Sequence, residues 1–183
     1  MIAYSYNENN RRSFGNLEKG CENMETIRYE TVSYDCKDFI ALTDELDRYL
    51  NKAIGGEEKR EKYKRFNYLD TMDYVIVAYE ESVPIGCAAL RQFSEREVEL
   101  KRVFVKEEYR NKGVAAEILR QLIVYSRTKG YYNIILETGE FLQASIKLYT
   151  KLGFQRISNY GAYVNMEESI CMGLVLSYIE KKS

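Results

Sequence analysis

The chain has 183 residues, 45% of them hydrophobic and 30% charged, which suits one folded domain with a proper core and argues against disorder. Lys and Arg total 27 against 28 Asp and Glu, and this net charge of -1 argues against a partner chosen by bulk charge, such as duplex nucleic acid or an anionic membrane, while leaving local basic patches open. Histidine is absent, which excludes Ser-His-Asp and Cys-His nucleophile systems and histidine metal sites, so proton transfer falls to carboxylate, tyrosine, lysine, cysteine or water.

Met1 to Asn23 is rich in Asn, Glu, Arg and Ser and reads as a flexible extension, with residues 24–183 as a single domain. Met24 is a second candidate start. Glu18-Lys19-Gly20 demands the codons GAR-AAR-GGN, a purine-rich run suited to ribosome binding, and a native peptide beginning ahead of Met24 would exclude this. Met1 to Asn10 lacks the apolar run of a secretory leader, and no stretch approaches the roughly 20 apolar residues of a membrane span. Cys21, Cys36, Cys87 and Cys171 have neither metal-knuckle nor redox spacing. Free thiols in a cytoplasmic protein without a metal are the expectation, with Cys87 and Cys171 as core thiols inside strands.

In chain order, the alternation from Thr26 to Ser33 predicts a first strand. Asp35 can cap a helix from about Cys36 to Ile54, with Phe39, Leu42, Leu46 and Leu50 on one face and Gly55-Gly56 as its stop. Glu57 to Phe66 predicts a charged helical stretch with a solvated face. A meander follows: Asp73 to Glu80, Val83 to Phe93, and Glu97 to Val105, with Pro84 at a strand start where a missing donor is tolerated. Val114 to Thr128 is an amphipathic helix stopped by Gly130. Asn133 to Thr138 is a strand, Leu142 to Leu152 a short helix, and Phe154 to Ile157 and Ser169 to Leu176 the last strands. A strand-helix-strand unit beside a meander implies an α/β (α+β) fold, with a mixed, mostly antiparallel sheet of about six to seven strands flanked by helices.

The stretch from Val103 to Ala116 takes a buried strand through a short loop directly into a helix. A first helical turn bares backbone N–H groups and a partial positive charge. Gly113 allows close approach, Ala115 and Ala116 leave it unblocked, Arg110 and Lys112 add cations, and no acid occurs from Tyr109 to Ala116. An anion fits here, and a pyrophosphate suits it well. The plainer alternative is an ordinary helix start with surface basic residues. Neither G-K-[ST] nor G-x-G-x-x-G is present, which sets aside the Walker loop and the dinucleotide fingerprint.

Arg110-Asn111-Lys112-Gly113-Val114-Ala115 matches [RQ]-x-x-G-x-[GA] and resembles the pyrophosphate-binding motif of the GNAT superfamily of acyl-CoA-dependent N-acetyltransferases. The stretch from Ala144 to Phe154, ASIKLYTKLGF, resembles the closing helix-turn-strand signature of the same family. The resemblance covers roughly Asp73 to Leu176. Leu142 stands where many members have Asn, so a polar contact to the pantetheine arm is either missing or supplied by Ser145, and Ala115 replaces a second glycine.

The resemblance implies a GNAT-like sheet that splays beside the strand of Val103, Phe104 and Val105, with acetyl-CoA as cosubstrate along that edge. Amides near Phe104 and Val105 would orient the thioester, and Arg110, Asn111, Lys112, Gly113, Val114 and Ala115 would hold the pyrophosphate. It implies Tyr149 as general acid for the departing thiolate and Glu99 as base for the amine, directly or through water. The plainer alternatives are a packing tyrosine and a Glu99 paired with Lys101, Arg102 or a cross-strand cation. Alternation puts Glu99, Lys101, Val103 and Val105 on one face and Leu100, Arg102 and Phe104 on the other, unless a bulge near the splay reverses the register.

The expected activity is acetyl transfer to a primary amine of a small molecule, such as an amino acid, a polyamine or an amino-bearing antibiotic, by a monomer or homodimer with no nucleic-acid or membrane partner. A protein amine is the second choice of acceptor. A non-catalytic acyl-CoA-binding module is the rival of another class, and a single-strand binder using tyrosine platforms needs a basic groove, which the balanced charge counts against. For the amine site, Arg48, Lys52, Arg60 and the loop from Asn159 to Tyr163 are candidates, the loop being otherwise a plain aromatic connection.

Overall fold

The computed structural model describes residues 27–56, 58 and 68–176. The expected extension and, apart from residue 58, the charged stretch after Gly56 lie outside the described residues.

Seven strands form one sheet: β1 (Arg28–Val32), β2 (Tyr74–Glu80), β3 (Val83–Gln92), β4 (Glu97–Val105), β5 (Asn133–Gly139), β6 (Gln155–Arg156) and β7 (Ser169–Val175). Their order is β1-β2-β3-β4-β5-β7-β6, and every neighbouring pair is antiparallel except β4 and β5. This is the expected mixed architecture. Three helices of eight residues or more are described: α1 (Lys37–Ile54), α2 (Val114–Thr128) and α3 (Gln143–Lys151).

The near-continuous apolar runs of β2 and β3 follow from burial on both faces. Val75, Val77 and Tyr79 turn to one side and pack with Phe39, Leu42 and Leu46 of α1. Ile76 and Ala78 turn to the other and join Ile118, Leu119 and Leu122 of α2. The sheet is thus held between α1 and α2.

Helix α1 begins one residue later than expected, and its cap is Cys36, not Asp35. A turn in which the Cys36 amide donates to Ser33 O at 3.1 Å makes Cys36 the last non-helical residue. Its side chain makes no cap bond, and Asp38 in the first turn accepts from the Tyr79 hydroxyl at 2.9 Å. At the other end the Gly56 amide reaches Asn51 O at 2.8 Å, closing the helix as the sequence implied.

Two irregularities make the site. β4 and β5 pair only at Glu97–Asn133, Val98–Ile134 and Glu99–Ile135, and then diverge. In β4, Phe104 pairs with Cys87 but Lys101 with Ala89, so Arg102 and Val103 together face a single residue of β3. This is a bulge, with Arg102 at φ 58. It reverses the faces downstream. Leu100 and Val105 both sit in the α2 core and Phe104 in the α1 core, so Val105 does not share the face of Glu99 and Lys101 that strict alternation assigned.

Candidate functional site

Where β4 and β5 part, a cavity of about 720 Å³ opens. Its walls come from β4, the loop into α2, the inner side of α3, the end of β5 and the apolar side of α1.

One end of the cavity is the start of α2. Gly113 is the N-cap at φ 85, with open space where a Cβ would stand and no side chain capping the helix. The nearest helical acid, Glu117, accepts from Arg120 at 3.2 Å and Gln121 at 3.1 Å, and no carboxylate caps the first turn among the described residues. Arg110 donates from Nε to Val105 O at 3.1 Å, and its guanidinium carbon lies 4.7 Å from the centre of the Tyr49 ring. That arrangement ties the loop to both β4 and α1. Of the expected cofactor-binding residues, Val103, Phe104, Val105, Arg110, Asn111, Gly113, Val114, Ala115 and Ser145 line the cavity. Lys112 does not line it; its exposed Nζ lies 4.8 Å from the centre of the Tyr109 ring. Helix α3 starts from Leu142 without a side-chain cap.

Tyr149 lines the cavity at 6% exposure, its ring 5.9 Å from Phe154. Burial, and secondarily the charge of Glu137, pushes its hydroxyl pKa up, so it stays protonated.

Glu99 is fully buried beneath this end of the cavity and does not line it. Arg91 of β3 is ion-paired to it, Lys101 Nζ lies 3.6 Å away, and the hydroxyls of Tyr160 and Tyr163 donate to it at 3.0 and 3.4 Å. The pairing with Lys101 and a cross-strand cation is therefore present, whereas Arg102 pairs with Asp47 of α1 at 2.6 Å. Burial pulls the Lys101 ammonium below its usual range although Glu99 opposes this. Burial and the Glu99 charge push both tyrosine hydroxyls up. The loop carrying these tyrosines is pinned by Asn159, whose Nδ2 donates to Tyr163 O at 3.1 Å and Met166 O at 3.0 Å. Arg48 and Lys52 are exposed and outside the cavity lining, and Arg60 lies outside the described residues.

One carboxylate escaped the sequence reading. Glu137 of β5 lines the cavity, and burial holds its carboxyl above the usual range. Its Oε1 accepts from Ser169 Oγ at 2.7 Å, and no cation pairs with it among the described residues. The signal was there: a lone glutamate among apolar neighbours in NIILETG, where an unpaired charge is costly to bury.

Residues 39–154 match the model of the acetyltransferase (GNAT) family. Over 97 residues the chain is 31% identical to the uncharacterized N-acetyltransferase YsnE of Bacillus subtilis (strain 168), an overlap of 52% of this chain and 64% of that protein, so it spans less than two thirds of that relative. An acetyltransferase from Streptococcus agalactiae is similar in fold, with a TM-score of 0.66 at 19% identity over 82% of this chain and 98% of that one. The PaiA N-acetyltransferase of Thermoplasma acidophilum, solved with coenzyme A, gives a TM-score of 0.64 at 20% identity over 82% and 99%. Sequence and fold agree, and the chain belongs to the acetyltransferase (GNAT) family.

Proposed function

We propose that the chain transfers an acetyl group directly from acetyl-CoA to a primary amine of a small molecule. The observation that carries this reading is one continuous cavity joining the uncapped start of α2 to Tyr149 and Glu137. The residues present fit the cosubstrate. Free amides at Gly113 to Ala115, with Arg110 beside them, suit the pyrophosphate, and the unpaired edge of β4 beyond Glu99 suits the pantetheine arm. When bound, acetyl-CoA supplies a thioester whose C–S bond breaks as the amine nitrogen bonds the acetyl carbon.

An ammonium acceptor loses two protons in this exchange. Glu137 accepts one and passes it to water, being the carboxylate that faces the cavity. Tyr149 donates its proton to the departing sulfur and regains one from the amine. Glu99 lies one side chain further in, so as a base it must act through water or Tyr163, and otherwise it positions Lys101 and the two tyrosines. Among the described residues no helix is long and apolar enough to cross a membrane. We place the reaction in the cytoplasm, where the buried, unpaired thiols of Cys87 and Cys171 remain stable.

Thiol release from acetyl-CoA over a panel of amines tests the transfer, and calorimetry with CoA tests the cavity. Heat without turnover supports the binding-module alternative. Neither heat nor turnover sinks both.

A further inference from the structure

We infer that the acceptor carries a carboxylate next to its amine and an apolar body, the α-amino-acid class, with Lys101 receiving the carboxylate and Glu137 the ammonium. This rests on reading the cavity as an acetyl-transfer site and names what enters its second end.

The charges lining the cavity are lopsided. Its basic residues are Lys101, Arg102, Arg110, Arg120 and Lys151, and its one acid among the described lining residues is Glu137. Polyamines, amino-bearing antibiotics and lysine-rich peptides present several cations and need several carboxylates; this wall offers one. Arg110 and Arg120 belong to the loop and first turns of α2, and Lys151 is the exposed last residue of α3. Arg102 is held by Asp47. Lys101 therefore stands as the cation of the acceptor end, on the same sheet face as Glu137.

Lys101 has donors to give. Its side chain is 7% exposed, and its Nζ makes one bond of normal length, to Tyr163 Oη at 3.0 Å, while Glu99 stands off at 3.6 Å. One hydrogen bond to Tyr163 and one long ion pair to Glu99 leave a third N–H of the buried ammonium to spare among the described residues, and a carboxylate arriving through the cavity takes it. No ion pair joins Lys101 to Glu137 among the described residues, although each senses the other's charge. Two opposite charges held apart across the diverging strands match the two ends of a zwitterion. Leu46, Leu50 and Ile54 of α1, with Phe141, line the same cavity and give it apolar surface for the rest of the acceptor.

The test compares L-leucine, L-phenylalanine and L-tryptophan with isoamylamine, phenethylamine and tryptamine, plus spermidine, by thiol release at saturating acetyl-CoA on the full chain. The expectation is a kcat/KM about tenfold or more higher for the amino acid of each pair, as a charge-assisted bond at a buried site allows. In K101M this ratio falls toward one. The wild-type ratio stands even if that variant fails to fold. A ratio at or below one, or spermidine as best acceptor, overturns the inference and leaves acetyl transfer standing. No amine-dependent thiol release with any amine overturns both, whether or not CoA binds.

Discussion

Ser169 Oγ donates to Glu137 Oε1 at 2.7 Å, joining β7 to β5 at the floor of the cavity and fixing the carboxylate plane while its second oxygen has no described protein partner. A carboxylate held in this way is oriented without being neutralised. Glu137→Gln keeps the Ser169 bond but removes the proton acceptor, so kcat/KM is expected to fall about 10²- to 10⁴-fold with CoA affinity retained. Glu99→Gln, by contrast, leaves Arg91 and Lys101 without their shared carboxylate. Its larger effect is expected on the melting temperature. Parallel rate and melting measurements on the two variants check the assignment, and a greater rate loss in Glu99→Gln moves the base role to Glu99.

The same carboxylate links activity to stability in opposite directions. Burial raises the Glu137 pKa above its ordinary 4.5, the Ser169 bond opposing this only in part. The folded state then holds the proton more tightly than the unfolded chain. Between 4.5 and the raised folded value the folded state binds more protons, so this contribution is full below 4.5 and is lost as pH rises through the folded value. Turnover needs the ionised form and rises over that window. Urea unfolding from about pH 4 to pH 8 is expected to show Glu137→Gln gaining on wild type as pH increases. A constant difference across the range rejects the coupling.

How far the sequence reached depends on how local each feature is. β4 and α2 end where their residues say they should, since strand alternation and the apolar stripe of α2 are written within the segments themselves. The α2 start was legible for the same reason: a glycine cap, flanking cations and no acid within reach. The bulge was not. Arg102 at φ 58 is a non-glycine in the left-handed region, held by its pairing with Asp47 of a distant helix, and nothing in ELKRVFV marks it. Glu137 and Lys101 gain meaning only when β5 folds beside β4. Tyr160 and Tyr163 read as a plain connection until the loop lays both hydroxyls on Glu99.

Tyr149 offers a cleaner substitution than either glutamate. Its ring packs near Phe154 and its hydroxyl has no described hydrogen-bond partner, so Tyr149→Phe removes one oxygen and keeps the packing. Loss of the proton donor is expected to lower kcat about 10²-fold, with the KM for acetyl-CoA nearly unchanged and stability within about 0.5 kcal/mol of wild type. Thiol leaving groups need less help as pH rises, so the deficit should narrow in alkaline buffer. An unchanged kcat returns Tyr149 to a packing role.

Two glycines separate strain from collision. Gly113 sits at φ 85 with nothing within 4 Å of an added Cβ, so Gly113→Ala meets only the backbone penalty of the left-handed region, about 1–2 kcal/mol. That penalty relaxes by rotating the cap away from the cavity, and the CoA affinity measured by calorimetry is expected to drop more than the melting temperature. Gly86 is the opposite case. It pairs with Val105 just past the bulge, and a Cβ there would stand 2.9 Å from Phe104 O and 3.0 Å from Val105 Cγ2. Backbone cannot yield as a flexible side chain does, so β4 must shift along the edge proposed to carry the thioester. Gly86→Ala is expected to lose about 2–3 kcal/mol in urea unfolding and to impair turnover at saturating acetyl-CoA. A wild-type melting curve for Gly86→Ala means that β4 has room to move, and the rigid edge invoked here does not exist.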